Sequence, residues 1–243
     1  IARGCTTNAV IFDIYNTLFD NSYAAWVTTF QSLCREQDLS VGPETLYLHW
    51  RTSEVETRKW RVNLEVPELS PPFKSYGAIW EKCFYESFED LGLEANPIAA
   101  TERVIADMGR RTPYPESLPV VTQLHTWYKT GALSNADNSF LRPLLKTYAL
   151  PMDTVISSET LEVYKPHPLS FQRVLEVLQV APQEAIFIGD TLHEDILGAQ
   201  RAGMHTVLVN WESAHVDTSI VTPDHQVTNL AQLLDILELE EGK

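Results

Sequence analysis

The sequence predicts an α/β fold, a doubly wound parallel sheet with a helical segment inserted after its first strand. Two observations predict it. Five short apolar runs each stop at small polar residues and are separated by stretches of helical periodicity, the pattern of buried parallel strands joined by crossover helices. Between the first and second runs lies a long interval with helix-type spacing and no comparable strand run.

The first run, Ala9-Val10-Ile11-Phe12, is rich in β-branched and aromatic residues and is stopped by Asp13. Thr130-Gly131-Ala132-Leu133 ends at Ser134-Asn135, and Thr154-Val155-Ile156 ends at Ser157. Ala185-Ile186-Phe187-Ile188 ends at Gly189-Asp190, and Thr206-Val207-Leu208-Val209 ends at Asn210. Helices are expected over 170–178 and 195–202, the second stopped by Gly203. In such a sheet, ligands gather at the carboxyl ends of the strands, so the polar residues there are the candidate site.

The interval 21–112 carries helix-type spacing over 24–34, 43–60, 76–91 and 98–108, with a Pro-rich loop at 67–72. Pro113-Tyr114-Pro115 marks the return to the sheet, which gives a sheet domain of 1–20 and 113–243 and a helical cap of 21–112. Trp26, Trp50, Trp60 and Trp80 all fall in the cap, as its own core or as an apolar lid over a small ligand. The acidic stretch 238–241 reads as a solvated tail.

Thirty-three acidic against 18 basic side chains give a net charge of −15, which argues against a phosphate-backbone binder; no nucleic-acid partner is expected. No run approaches the roughly 20 apolar residues that span a bilayer, and the first residues lack the pattern of a secretion signal. A soluble, cytoplasmic protein without a membrane partner is expected, with self-association left open. Cys5, Cys34 and Cys83 are widely spaced with no CxxC, so neither a disulfide framework nor a zinc cage is expected.

The strand ends carry a coherent chemistry. Asp13, in Phe12-Asp13-Ile14-Tyr15-Asn16-Thr17-Leu18, can act as a nucleophile if it stays ionised and is held for in-line attack, forming an ester that water later opens. Lys165, in Tyr164-Lys165-Pro166, would keep Asp13 ionised and neutralise an anionic substrate. Ser134, Asn135 and backbone N–H groups would hold the substrate's oxygens. Asp190 and Asp195, in Gly189-Asp190-Thr191-Leu192-His193-Glu194-Asp195, are an acidic pair suited to a hard cation such as Mg²⁺.

These four signals, in this order and over nearly the whole chain, resemble the haloacid dehalogenase superfamily, which often inserts a cap after its first strand. The resemblance implies a Rossmann-like core and a hydrolase that works on a small anionic substrate through a covalent ester on Asp13. Ser134, Lys165 and Asp195 would be its other catalytic residues. It also implies a metal held by the Asp13 carboxylate, the Tyr15 backbone carbonyl and Asp190. The superfamily's phosphatases usually carry a second Asp two residues after the nucleophile, which protonates the leaving alkoxide. Here that residue is Tyr15, and a phenol with an unperturbed pKa of about 10 is a poor substitute.

The Asp-x-Tyr-x-Thr-Leu form is similar to the hydrolytic 2-haloacid dehalogenases, in which halide leaves without a proton. Trp50-Arg51 looks like the pair from which those enzymes send an Arg toward halide and substrate carboxylate, and Val163-Tyr164-Lys165-Pro166 matches their lysine motif. Tyr15, Arg51 and Asn135 are therefore expected to contact substrate. Against this, dehalogenases commonly have Ser and Asn where Asp190 and Leu192 stand, and Tyr where Phe171 stands; the string from Gly189 to Asp195 looks like the phosphatases' Mg²⁺ motif. The expectation is dehalogenase-like attack on a small 2-substituted carboxylic acid, ahead of Mg²⁺-dependent hydrolysis of a small phosphate monoester. A catalytically weak binding protein on the same fold is the third reading. Should an acid be required, His193 and Glu194 are the first candidates.

Overall fold

A computed structural model describes residues 7–241. Cys5 lies outside the described residues, as do the side chains of 238–241, where a solvated tail is expected. In chain order the elements are β1 (Ala9–Phe12), α1 (Tyr23–Glu36), α2 (Pro43–Arg61), α3 (Tyr76–Asp90), α4 (Pro97–Met108), α5 (Ser117–His125), β2 (Lys129–Ser134) and α6 (Asn138–Tyr148). There follow β3 (Thr154–Ser157), α7 (Ser158–Leu161), α8 (Pro168–Leu178), β4 (Ala185–Gly189), α9 (Gly198–Arg201), β5 (His205–Val209), β6 (His225–Val227) and α10 (Gln232–Glu241). A π-helical turn, Leu192–Leu197, runs directly into α9. No helix among the described residues is long and apolar enough to cross a membrane.

The chain forms two compact units. The first comprises the residues up to Asp20, Thr112–Asn135 and those from Tyr148 on; the second comprises Asn21–Arg111 and Ala136–Thr147. The first is a six-stranded sheet in the order β3-β2-β1-β4-β5-β6, with every pair parallel. β1 and β4 are buried on both faces along their whole length, which is why their sequences read as unbroken apolar runs. α8 covers one face, packing Phe171, Val174, Leu175 and Leu178 against Ile11, Leu133, Ile156 and Phe187. Phe12 lies opposite both Ala132 of β2 and Ile188 of β4, so these three strands end at one level. The order of the strands reverses at β1, and the crevice that this reversal opens is where the polar strand ends collect. The sixth strand, His-Gln-Val, has no apolar run to announce it and is recruited at the sheet edge by pairing with β5.

The second unit is helical. Ser22, Ser75 and Asn96 cap α1, α3 and α4 through side-chain bonds to Ala25, Ala78 and Ala99, while Pro43 and Pro97 open α2 and α4. Trp26, Trp50 and Trp80 are buried with Phe30 and Phe84, with ring centroids 5.0 Å apart for Trp26 and Trp50 and 5.6 Å for Trp50 and Phe84. These three tryptophans are the unit's own core, whereas Trp60 is 78% exposed. The free cysteines Cys34 and Cys83 are buried in the same unit.

Residues 136–147, which the sequence assigns to the sheet domain, group with the helices. Two contacts account for this. The Asp137 carboxylate accepts the Tyr76 and Gly77 amides at 2.9 and 2.8 Å, capping α3 from outside, and Phe140 of α6 stacks on Trp80 with centroids 5.3 Å apart. Both contacts join segments remote in sequence, so local periodicity could not reveal them.

The turn into α9 lies close against α8. A Cβ on Gly198 would sit 2.5 Å from the Phe171 ring and 3.0 Å from Pro166, with no flexible side-chain end to yield. Gly198→Ala should therefore destabilise the fold by about 1–3 kcal/mol, measured as a lower urea midpoint at unchanged slope.

Candidate active site

Asp13 extends the ladder of β1 by one residue, its N–H donating to the Ile188 carbonyl at 2.8 Å, so its backbone is fixed between β1 and β4. The chain then folds back on itself. The Leu18 and Phe19 amides donate to the Ile14 carbonyl, each at 2.9 Å, and the Asn16 amide donates to Phe19 at 2.8 Å. Asn16 has φ +62°, a left-handed conformation that Asn tolerates better than most residues. Tyr15 and Thr17 flank it and are both buried, and the Thr17 hydroxyl reaches Asp190 Oδ1 at 3.5 Å.

Ser134, the last residue of β2, donates to Asp13 Oδ1 at 3.1 Å. Lys165, 1% exposed, donates from Nζ to the same oxygen at 2.8 Å and to Asp195 Oδ1 at 2.6 Å. The ammonium also lies 5.2 Å from the centre of the Phe187 ring, a further favourable contact for a buried cation. Phe187 packs edge-on against Phe171, which is fully buried in the sheet core. The other oxygen of Asp195 accepts the Thr191 amide at 3.0 Å and its hydroxyl at 2.7 Å. This packing requires glycine at the end of β4, because a Cβ on Gly189 would lie 2.5 Å from Asp195 Cγ.

Asn135, expected to hold substrate oxygens, is committed elsewhere. Its Oδ1 accepts the Lys165 amide at 2.7 Å, and its Nδ2 donates to the Lys165 carbonyl at 3.2 Å and to Glu194 Oε2 at 3.0 Å. Its acceptor and donors thus position the lysine's backbone, and Glu194, a reserve candidate for an acid, anchors that amide. Arg51 belongs to the helical unit, where its guanidinium pairs with the carboxylate of Glu54, itself 2% exposed. The structure brings together Asp13, Ser134, Asn135, Lys165, Asp190 and Asp195, with the Tyr15 backbone in the same loop as Asp13. The sequence assigns no role to Thr17 or Thr191, which sit within the quoted motifs but serve by orienting carboxylates, a task any hydroxyl on the right turn can perform.

Oxygen atoms of Asp13, Asp190 and Asp195 lie within 4.8 Å of one another, three carboxylates served by the single ammonium of Lys165. Burial alone would push Lys165 down, but Asp13 and Asp195 hold it above the ordinary lysine range. Burial pushes Asp13 up to about 6, with the Asp195 charge adding and Lys165 opposing. Asp190 is raised well above the carboxylate range by burial and then by Asp195 and Asp13. Ionising all three beside one protonated lysine would leave two surplus negative charges, a repulsion that, with burial, raises Asp190 and that a divalent cation would relieve. The donors are hard oxygens of the kind Mg²⁺ takes, so the residues fit such an ion. Both oxygens of Asp195 are already engaged, which leaves Asp13 and Asp190 as the carboxylates to hold it.

A family model described as haloacid dehalogenase-like hydrolase matches residues 7–203. The pyrophosphatase PpaX of Bacillus cereus (strain B4264) is 37% identical over 95% of this chain and 96% of its own. An (S)-2-haloacid dehalogenase of Xanthobacter autotrophicus is 30% identical over 83% of this chain and 74% of its own. The magnesium-bound structure of YfnB from Bacillus subtilis superposes with a TM-score of 0.80 over 96% of this chain and 99% of that one, at 18% identity, a likeness of fold.

Thr191 offers a direct check on the support of Asp195. Thr191→Val keeps the shape but deletes a donor to a buried carboxylate, and should cost about 1–3 kcal/mol in chemical denaturation. Thr191→Ser, which keeps the hydroxyl, should stay near wild type.

Proposed function

The chain belongs to the haloacid dehalogenase-like hydrolases, and from that premise we propose that it hydrolyses a small anionic substrate through a covalent ester on Asp13, with Mg²⁺-assisted cleavage of a phosphate monoester as the reaction its site supports best. The observation that carries this reading is the charge imbalance of three carboxylates against one ammonium. A divalent cation would relieve the crowding of negative charge that, with burial, raises Asp190, and would let an anionic substrate approach. The Asp13 and Asp190 carboxylates and the Tyr15 carbonyl would hold Mg²⁺, with Asp195 supporting them. When bound, the ion would supply positive charge that offsets the carboxylates and the charge of the substrate.

The steps follow from the chain's own residues. Asp13 Oδ1 is held by Ser134 and Lys165, so the other oxygen attacks phosphorus while the bond to the leaving oxygen breaks. The aspartyl phosphate is then opened by water. Lys165 keeps Asp13 ionised against the burial that raises it. Tyr15 stands where a carboxylic acid would protonate an alkoxide, so substrates whose leaving group needs little protonation suit this site. The net charge of −15 disfavours nucleic acid and anionic membranes as partners, and a cytoplasmic setting completes the reading.

One observation favours a second reading. Tyr15 in place of the acid suits displacement of halide from a 2-haloacid, in which Asp13 attacks carbon and no proton is required. Lys165 would then serve as the resident cation beside the nucleophile.

Asp13→Asn should abolish turnover without loss of folding, checked by activity and circular dichroism. Phosphate release from an aryl phosphate and halide release from 2-chloropropionate, measured side by side with Mg²⁺ and with chelator, separate the readings. The first reading expects phosphate release that is lost on chelation and in Asp190→Asn; chelator-insensitive halide release with no phosphate release establishes the second. Tyr15→Asp should raise hydrolysis of alkyl phosphates toward the 10²–10⁴-fold typical of general acid catalysis and leave halide release unimproved.

A further inference from the structure

We propose that Trp211 is a positioning residue for the cation-binding loop, clamping it through the Asn16 carbonyl; this rests on the metal-assisted reading above. The Trp211 indole Nε1–H donates to the Asn16 carbonyl at 2.7 Å, across a separation of 195 residues. Asn16 stands between the two groups whose placement matters most. Tyr15, on one side, offers the carbonyl assigned to the cation, and Thr17, on the other, directs its hydroxyl at Asp190. The loop's internal bonds tie Ile14 to Leu18 and Phe19, and the Asn16 amide to Phe19. The Tyr15–Asn16 peptide is thus held within the loop, while the Asn16–Thr17 peptide, which leads to the hydroxyl at Asp190, is held from outside by the indole.

The clamp has a second jaw. The Tyr114 amide donates to the Leu18 carbonyl at 3.0 Å, and the Tyr114 ring stacks on Trp211 with centroids 4.0 Å apart and planes at 28°. Two stacked aromatic residues thus grip the loop at Asn16 and Leu18. Trp211 lies one residue beyond Asn210, which follows β5, and its base is braced. The Asn210 amide donates to Val227 of β6 at 2.8 Å, and the Asn210 side chain closes a turn onto Ala214, donating to its carbonyl at 2.8 Å and accepting its amide at 3.3 Å. The edge of the sheet is in this way connected mechanically to the loop that follows the nucleophile.

The test is Trp211→Phe, which keeps an aromatic ring against Tyr114 and deletes the N–H donor. Loss of one such hydrogen bond corresponds to roughly a 2–10-fold effect. Amide hydrogen exchange at Asn16, Leu18 and Phe19 in the metal-free protein should accelerate by about that factor, while β4 exchanges as in wild type. Mg²⁺ affinity by titration calorimetry should weaken by a similar roughly 2–10-fold factor. Aryl phosphatase activity at saturating Mg²⁺ should stay within about twofold, because the clamp acts on the loop's placement and not on the reacting atoms. Tyr114→Leu, which removes the stacked platform, should move both readouts in the same direction. Wild-type exchange in the loop, or wild-type Mg²⁺ affinity, in Trp211→Phe overturns the proposal. A wild-type protein that binds no Mg²⁺ overturns the metal-assisted reading and the clamp's purpose with it, a failure visible before any Trp211 variant is made.

Discussion

The ammonium of Lys165, sealed from water between Asp13 and Asp195, is the interaction on which the arrangement of the sheet unit's polar end depends. A buried charge is tolerable only when it is paired and fully hydrogen-bonded, and removing one partner of such a pair typically costs about 3–5 kcal/mol. Meeting that demand draws in residues from four places. Asp13 comes from the end of β1, Asp195 from the turn after β4, and Asn135 from the end of β2 fixes the backbone of the segment that carries the lysine. Gly189 leaves the space into which Asp195 is pushed, and Thr191 satisfies the oxygen that the lysine does not. The pairing leaves Asp190 outside it, a third buried carboxylate within 4.8 Å of Asp13 and Asp195.

Most of the sheet was legible because parallel strands buried on both faces leave apolar runs that polar residues punctuate, and because parallel registry carries those polar residues to one level. β6 escaped notice since three residues at an edge, only partly covered, need no such run. The gathering of Asp13, Lys165 and the acidic pair was legible for a related reason. Charged side chains that end buried strands have few structural uses, and their number and order left little room for a solvated-surface explanation. Asn135 shows the limit of that inference. Its residue type and place fit a substrate contact, and its bonds to the Lys165 backbone and to Glu194 join segments that only the folded chain brings together.

The helical unit shows a second limit. Four tryptophans within one segment suggested either a lid or a core, and burial separates them: Trp26, Trp50 and Trp80 pack together, while Trp60 stands in solvent. Helical periodicity alone could not make that division, because Trp60 continues the spacing of α2 to its last turn. The membership of 136–147 was hidden for the same kind of reason. Ser134 and Asn135 serve the candidate active site, yet Asp137, only a few residues on, caps a helix of the other unit, so one short stretch of chain answers to two sets of contacts.

The placement of β1 also bears on how the chain assembles. β1 pairs only with β2 and β4, strands that emerge from synthesis more than a hundred residues later, and Asp13 meets Ser134 and Lys165 at separations of 121 and 152 residues. The helices that follow it can collapse on local contacts long before those partners exist, whereas long-range parallel pairing is slow because the intervening loop must close first. β1, buried on both faces in the fold, therefore waits unpaired while more than a hundred further residues are made. An apolar strand made well before the strands that cover it is exposed to misassociation until the intervening chain has closed.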